Sequence, residues 1–234
     1  IGGMGPFAGA RFCTLLLEKS SNVFGTVNGD EFPEIVLDSV PVPDFISDTN
    51  RLPEAETMLV SRVKKLNRFG CTTIAMICNT GHILFPQLSN VSDNKMISLI
   101  NVVRDKVVTR KFKKVGLLAT RTTIKSNLYL NAFSGTGVNI VNPDNKTIEL
   151  CEKVIRGVIA NTNSVELTKK LLNKTKEFIK KQKLDGVILG CTELPLAFPQ
   201  KKPNNIIDCL DVLSDALLKD FFENRLHKNN YNWL

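Results

Sequence analysis

Thr73-Ile-Ala-Met-Ile-Cys78-Asn-Thr-Gly-His82 and Gly186-Val-Ile-Leu-Gly-Cys191-Thr-Glu-Leu-Pro195 are two short apolar runs, each ending in a cysteine followed by small or polar residues. A short, continuous apolar run bounded by turn residues is the pattern of a strand buried on both faces of a parallel sheet. Ligands in such sheets bind outside the carboxyl ends of the strands, so both thiols stand where α/β folds build their sites. Two thiols facing one cavity can give and take a proton.

The segments around these runs repeat in order. Gly2-Gly3-Met4-Gly5-Pro6 follows what reads as the end of a first strand, and residues 8–20 carry apolar residues at helical spacing. Residues 35–40 read as a second strand, ended by Pro41-Val-Pro43; residues 53–69 read as a helix, with Pro53 in its first turn and Gly70 just after its end. In the second half, residues 114–119 are a strand, 120–123 a turn with helix-capping residues, 125–133 a helix and 138–141 a strand. Helical stretches over 147–160 and 165–183 then lead to the strand at 186–190. Gly3 and Ala119 lie 116 positions apart and Cys78 and Cys191 lie 113 apart, two similar offsets that indicate an internal duplication. Residues 206–208 form a further short strand and 210–224 a last helix, both expected to return to the first half, with 225–234 as a tail.

The expected fold class is therefore α/β, with two pseudo-symmetric lobes, each a mainly parallel sheet flanked by helices, and the active site in the cleft between them. Residues 1–100 and 206–234 make the first lobe and 101–205 the second.

Composition narrows the function. The chain of 234 residues is 43% hydrophobic and 23% charged, ordinary values for a globular protein. No apolar run reaches the roughly 18 residues of a membrane span, and no secretory leader is visible, although the opening Ile1-Gly-Gly reads as a strand end that residues would precede. The net charge of +8 comes from lysines scattered over helix faces and connections, such as Lys64-Lys65, Lys169-Lys170 and Lys201-Lys202. They form no single stripe with interleaved aromatic residues, which argues against nucleic acid as a partner. The six cysteines lack the spacing of a disulfide scaffold, pointing to a reducing, cytoplasmic setting. There is no C-x-x-C, and the two histidines are His82 and His227 in the tail, so no metal site is expected. The glycine loop has neither dinucleotide-binding nor P-loop spacing; no cofactor is expected, and the loop's use is a tight turn that lets backbone approach a small substrate.

Gly2-Gly-Met-Gly-Pro6, Cys78-Asn-Thr-Gly-His82, Leu118-Ala-Thr120 and Leu189-Gly-Cys-Thr-Glu-Leu-Pro195 together resemble the aspartate/glutamate racemase family, in its aspartate racemase branch, over nearly the whole chain. The resemblance implies a cofactor-independent racemase acting on a small amino acid, aspartate or glutamate by default, and a homodimer. It also implies that one cysteine thiolate removes the α-proton while the opposite thiol delivers a proton to the other face, with Cys78 and Cys191 in those roles. The chemistry suits these residues independently. An α-hydrogen is a very weak acid, so the base must be held in contact with it while the developing charge is stabilised. Asn79, Thr80 and Thr192, with the backbone of the following turn, can hold the α-carboxylate. The resemblance further implies that Thr120 and Thr123 line the second lobe's side of the cleft, helix capping being their competing role, and Met4 in the glycine loop is a further candidate for substrate contact. Glu193 either tunes Cys191, contacts the substrate ammonium or makes a structural hydrogen bond. His82 is either a helper group or a structural histidine at a helix start. Cys13, Cys71, Cys151 and Cys209 read as small buried hydrophobes.

The sequence departs from the family pattern at two places. Where the family has Pro-Asp-Arg-Thr, with an arginine for the substrate carboxylate, this chain has Pro43-Asp44-Phe45-Ile46, and Arg51 lies six residues beyond Phe45. Where a lysine follows the second lobe's Gly-x-Ile, Arg156-Gly-Val-Ile159 is followed by Ala160. A pocket lined by Phe45 and Ala160 disfavours aspartate, since a buried carboxylate without a cation is costly. A less acidic amino acid is then the alternative substrate. Maleate isomerase or hydantoin racemase chemistry, and a non-catalytic ligand-binding role, are the other readings.

Overall fold

The structure, a computed structural model, describes residues 1–229. In chain order its elements are α1 (Pro6–Asn22), α2 (Leu52–Phe69), β1 (Thr73–Ala75), α3 (Phe85–Asn90), β2 (Lys95–Ile97), α4 (Leu99–Thr109), β3 (Lys114–Leu118), α5 (Arg121–Lys125), α6 (Leu128–Ala132), β4 (Asn139–Val141), α7 (Asn145–Ile159), α8 (Val165–Gln182), β5 (Gly186–Leu189), α9 (Leu194–Ala197), β6 (Ile206–Asp208) and α10 (Cys209–Asn229). Local chemistry sets many of the helix ends. Pro6 and Pro53 stand in the first turns of α1 and α2, where a missing N–H costs nothing, and Gly70 closes α2 in the left-handed region at φ 96°. Ser98, Thr120, Asp144 and Ser164 accept backbone N–H bonds as caps of α4, α5, α7 and α8.

The second-half sheet has the order β4-β3-β5-β6, all parallel. In the first half β1 pairs in parallel with β2, and residues 1–3 lie along the other side of β1. The Ile1 amino group donates to Ala75 O at 2.6 Å and Ile77 N–H donates to Ile1 O at 2.8 Å. Beyond them, Gly2 N–H donates to Asp38 O at 2.9 Å and Val40 N–H to Gly2 O at 3.0 Å. The spatial order 38–40, 1–3, β1, β2 thus repeats β4, β3, β5, β6, strand for strand in sequence order. That repetition is the architectural form of the duplication read from the two offsets.

Four expectations need correction. The strand expected over 35–40 is reduced to a single bridge, Gly2 to Ser39. The helix expected over 125–133 is two short helices, broken where Asn127 turns to φ 56°. Residues 206–208 do not return to the first half: β6 adds to β5, as β2 adds to β1, since a fourth parallel strand completes each sheet. The last helix runs to Asn229, past the expected start of the tail, whose residues 230–234 lie outside those described.

The helix after each fourth strand leaves its own sheet. α10 packs on α1, α4 packs on α6, and α4 and α10 pack on each other. Phe12, Leu16, Leu99, Val103, Tyr129, Phe133, Leu210 and Leu213 consequently share one apolar cluster that joins the halves. Each fully buried side chain of this kind stabilises by about 1.5–3 kcal/mol. Among the described residues no helix is long and apolar enough to cross a membrane.

Gly3 shows how tightly the first glycine loop is held. It sits at φ 95°, and a Cβ there would lie 2.3 Å from both the nitrogen and the oxygen of Val40. Gly3→Ala combines a left-handed backbone penalty with a backbone clash, so it is expected to cost about 3 kcal/mol or more, read as a lower urea midpoint at unchanged slope.

Candidate active site

The segment after β1 and the segment after β5 end in Cys78 and Cys191, both buried at 5% exposure. Beyond Cys78 the chain winds into a 3-10 turn, Thr80–Leu84, and the Gly81 N–H donates to Cys78 Sγ at 3.3 Å. A Cβ on Gly81 would stand 3.0 Å from Met76 Sδ and 3.3 Å from Cys78 Cβ, so glycine lets this N–H approach the sulfur. Burial pushes the Cys78 thiol up to about 12, the Gly81 and Thr80 N–H groups pull it down, and the charge of Glu193 pushes it up.

Cys191 has different company. Its Sγ–H donates to Glu193 Oε2 at 3.0 Å, and the Thr192 hydroxyl donates to the same oxygen at 3.0 Å. Burial raises the Cys191 thiol well above its ordinary range, and the charge of Glu193 adds to the rise. Burial also raises the Glu193 carboxyl, against the hydrogen bonds from Cys191 and Thr192. The other oxygen, Oε1, is buried without a hydrogen-bond partner among the described residues. It lies against the first lobe's glycine loop, where a Cβ on Gly5 would come within 1.5 Å of it.

The remaining candidate residues form a buried polar seam between the halves. Thr80 Oγ1 lies 2.8 Å from Thr123 Oγ1 and 3.3 Å from Thr120 Oγ1, and Thr120 Oγ1 donates to Thr123 Oγ1 at 3.0 Å. Thr120 also caps α5 by accepting the Thr123 N–H at 3.1 Å. Asn79 is held by two residues whose part the sequence hid: Tyr129 Oη donates to its Oδ1 at 2.6 Å, and its Nδ2 donates to Cys209 Sγ at 3.5 Å. These partners lie 50 and 130 positions away, and a lone aromatic and a lone cysteine carry no local signal of such a bond. Met4 packs at the edge of the cluster that contains Phe45 and Cys78.

His82 has both ring nitrogens engaged. Nε2 accepts the Leu99 N–H at 2.9 Å, so Nδ1 carries the proton and donates to Cys78 O at 2.7 Å. The ring joins the backbone of the first cysteine to the start of α4 and stacks on Phe85 at 5.1 Å. Burial lowers its pKa to about 4, opposed by the bond to Cys78 O.

The family departures look different in three dimensions. Phe45 is 1% exposed and packs with the Cys78 cluster, whereas Ala160 is exposed at the end of α7. Arg51 pairs with Glu54 on the surface. Arg156, one turn before Ala160, reaches across to Asp44, with Nη1 to Oδ2 at 2.9 Å and Nη2 to Oδ1 at 3.3 Å. A cavity of about 550 Å³ lies away from the thiols, around Ile1 between residues 33–37 and 70–75.

The model of the Asp/Glu/hydantoin racemase family matches residues 1–217. A broad-specificity amino-acid racemase of Bacillus subtilis is 24% identical over 194 residues, covering 83% of this chain and 84% of that protein. A glutamate racemase of Buchnera aphidicola is 28% identical over 216 residues, covering 85% and 80%. Among solved structures, an aspartate racemase homologue from Pyrococcus horikoshii superposes with a TM-score of 0.78 at 26% identity, covering 93% of this chain and 95% of that one. The aspartate racemase of Picrophilus torridus superposes at 0.77 and 27%, covering 94% and 91%.

The His82 geometry makes a stability prediction. Its folded pKa is below the unfolded value near 6.5, so its contribution is complete above about pH 6.5 and is lost as pH falls toward 4. The loss is of order 3 kcal/mol across that window. His82→Gln is expected to be less stable at pH 7 and to lose the His82 part of the slope between pH 6.5 and 4, measured by urea unfolding at a series of pH values.

Proposed function

Because the chain belongs to the Asp/Glu/hydantoin racemase family and is an amino-acid racemase of the aspartate/glutamate type, we propose that it inverts the α-carbon of a free amino acid with Cys78 and Cys191 as opposed base and acid. The observation that carries this reading is the pair of buried thiols after equivalent strands, each with its own electrostatic support. Inversion needs one group on each face, and the two must exchange roles for the two enantiomers.

The supports divide the work. Cys78 receives backbone N–H groups, which favour the thiolate without themselves titrating. Cys191 already shares a hydrogen bond with a carboxylate that can take its proton. In one direction Cys78, its thiol proton given up to solvent as the substrate binds, takes the α-proton as thiolate, while the Cys191 thiol protonates the opposite face and regains a proton from solvent as product leaves. In the other, Glu193 accepts the Cys191 proton, Cys191 becomes the base and the Cys78 thiol becomes the donor. With Cys78 held near 12, ionising it at pH 7 costs about 7 kcal/mol, so ionisation waits for a cation. The substrate ammonium supplies one. Glu193 Oε1, buried without a partner among the described residues, is the acceptor that fits it, and filling that position relieves an unmet hydrogen bond. The Thr80 hydroxyl and the second N–H of the Asn79 carboxamide are the donors left for the α-carboxylate, where negative charge develops as the α-proton leaves, while Thr120 and Thr192 hold Thr123 and Glu193 in place. Met4 and Phe45, packed with Cys78, give the site an apolar side.

In D₂O, deuterium entering Cα reports each proton removal. Cys78→Ser and Cys191→Ser are each expected to slow racemisation by roughly 10²–10⁴-fold, and each to weaken exchange more for one enantiomer than for the other. Unchanged exchange in both variants, on every amino acid the wild type accepts, would refute the two-thiol reading.

A further inference from the structure

Residues 43–48 leave the first lobe and run across to the second. Phe45 anchors the segment in the Cys78 cluster, and the Thr122 hydroxyl of α5 donates to Ile46 O at 2.6 Å. Beside that bond the guanidinium of Arg156 takes both carboxylate oxygens of Asp44 and also donates to the Ser47 hydroxyl. Two parallel N–H···O bonds are the arrangement in which an arginine receives any carboxylate, whether of a ligand or of the chain. The pair stands next to the buried seam: Phe45, beside Asp44, packs in the Cys78 cluster, and Thr122, which holds Ile46 O, lies between Thr120 and Thr123. Arg156 lowers the Asp44 carboxyl, through a hydrogen bond and its charge, against the opposing effect of burial.

We propose that Asp44 is a built-in stand-in for a substrate carboxylate: by occupying Arg156 across the mouth of the cleft, it reserves the site for amino acids without a second carboxylate. This rests on the racemase reading above and deepens it by naming the substrate class. A tethered carboxylate competes at an effective concentration in the millimolar range or above, so an acidic substrate must expel Asp44 and meet its negative charge at the entrance. A neutral amino acid leaves the pair intact. Both partners are about half exposed, so the pair adds little to stability, and its effect is on selection.

The test uses glutarate and butyrate as unreactive probes of the distal carboxylate, with binding measured by calorimetry to the whole protein. Asp44→Asn is expected to bind glutarate about tenfold tighter than wild type, to change butyrate much less, and to raise kcat/KM for glutamate relative to alanine by a similar factor. Asp44→Asn combined with Arg156→Gln is expected to lose both gains, which separates release of the arginine from simple removal of a negative charge. Equal glutarate binding by wild type and Asp44→Asn, or a gain that survives in the double variant, overturns the proposal. If wild type turns over no amino acid while Asp44→Asn gains glutarate selectively, the racemase reading fails and the role of Asp44 stands. If wild type turns over amino acids and Asp44→Asn shifts neither the substrate ratio nor binding, the racemase reading stands and the role of Asp44 fails.

Discussion

The contact between Glu193 and Gly5 sets the terms for the whole cleft. A carboxylate can occupy this buried position only because the facing residue has no side chain, since a Cβ on Gly5 would overlap Oε1. The first lobe's glycine loop is thus shaped around an acidic group of the second lobe. In the other half, the residue two places after the cysteine is Thr80, and it too crosses, to Thr120 and Thr123. Each cysteine motif therefore sends its second following residue to the opposite lobe, one neutral and one acidic. That single difference breaks the symmetry inherited from the duplication and gives the two thiols unlike partners.

What joins the lobes differs in kind between the floor and the mouth of the cleft. At the floor, α4 and α10 exchange sides and bury a continuous apolar cluster, while Tyr129, Asn79 and Cys209 complete one another's hydrogen bonds. Breaking that layer exposes large apolar area and strands buried polar groups. At the mouth, the ties are the Thr122 hydroxyl and the half-exposed Arg156–Asp44 pair. The charge pair alone costs little to open, but the buried Phe45 ring ties residues 43–48 to the Cys78 cluster as well.

The sequence is most legible where one residue pattern has one structural meaning. Apolar runs ending at Cys78 and Cys191, prolines at helix starts and Gly70 at a helix end read directly. β2 is hidden because Lys95-Met-Ile97 is three residues long with one fully buried side chain, too short for a period. The break at Asn127 is hidden because one residue with positive φ interrupts an otherwise helical pattern. β6 misleads because the helix that follows it does return to the first half, while the strand itself stays with β5.

The sequence by itself determined the parallel α/β class, the duplication and the two thiols at strand ends, because each depends on local periodicity and on spacing along the chain. Only the tertiary structure decided who stands beside those thiols. Glu193 on Gly5, Tyr129 on Asn79, His82 on the first turn of α4 and Arg156 on Asp44 all join residues far apart in sequence. Their identities matter only once packing brings them within hydrogen-bond distance. An arginine missing from its expected place therefore looks like a lost anchor in one dimension, whereas in three a different arginine, Arg156, holds the carboxylate of the Asp44 that precedes Phe45.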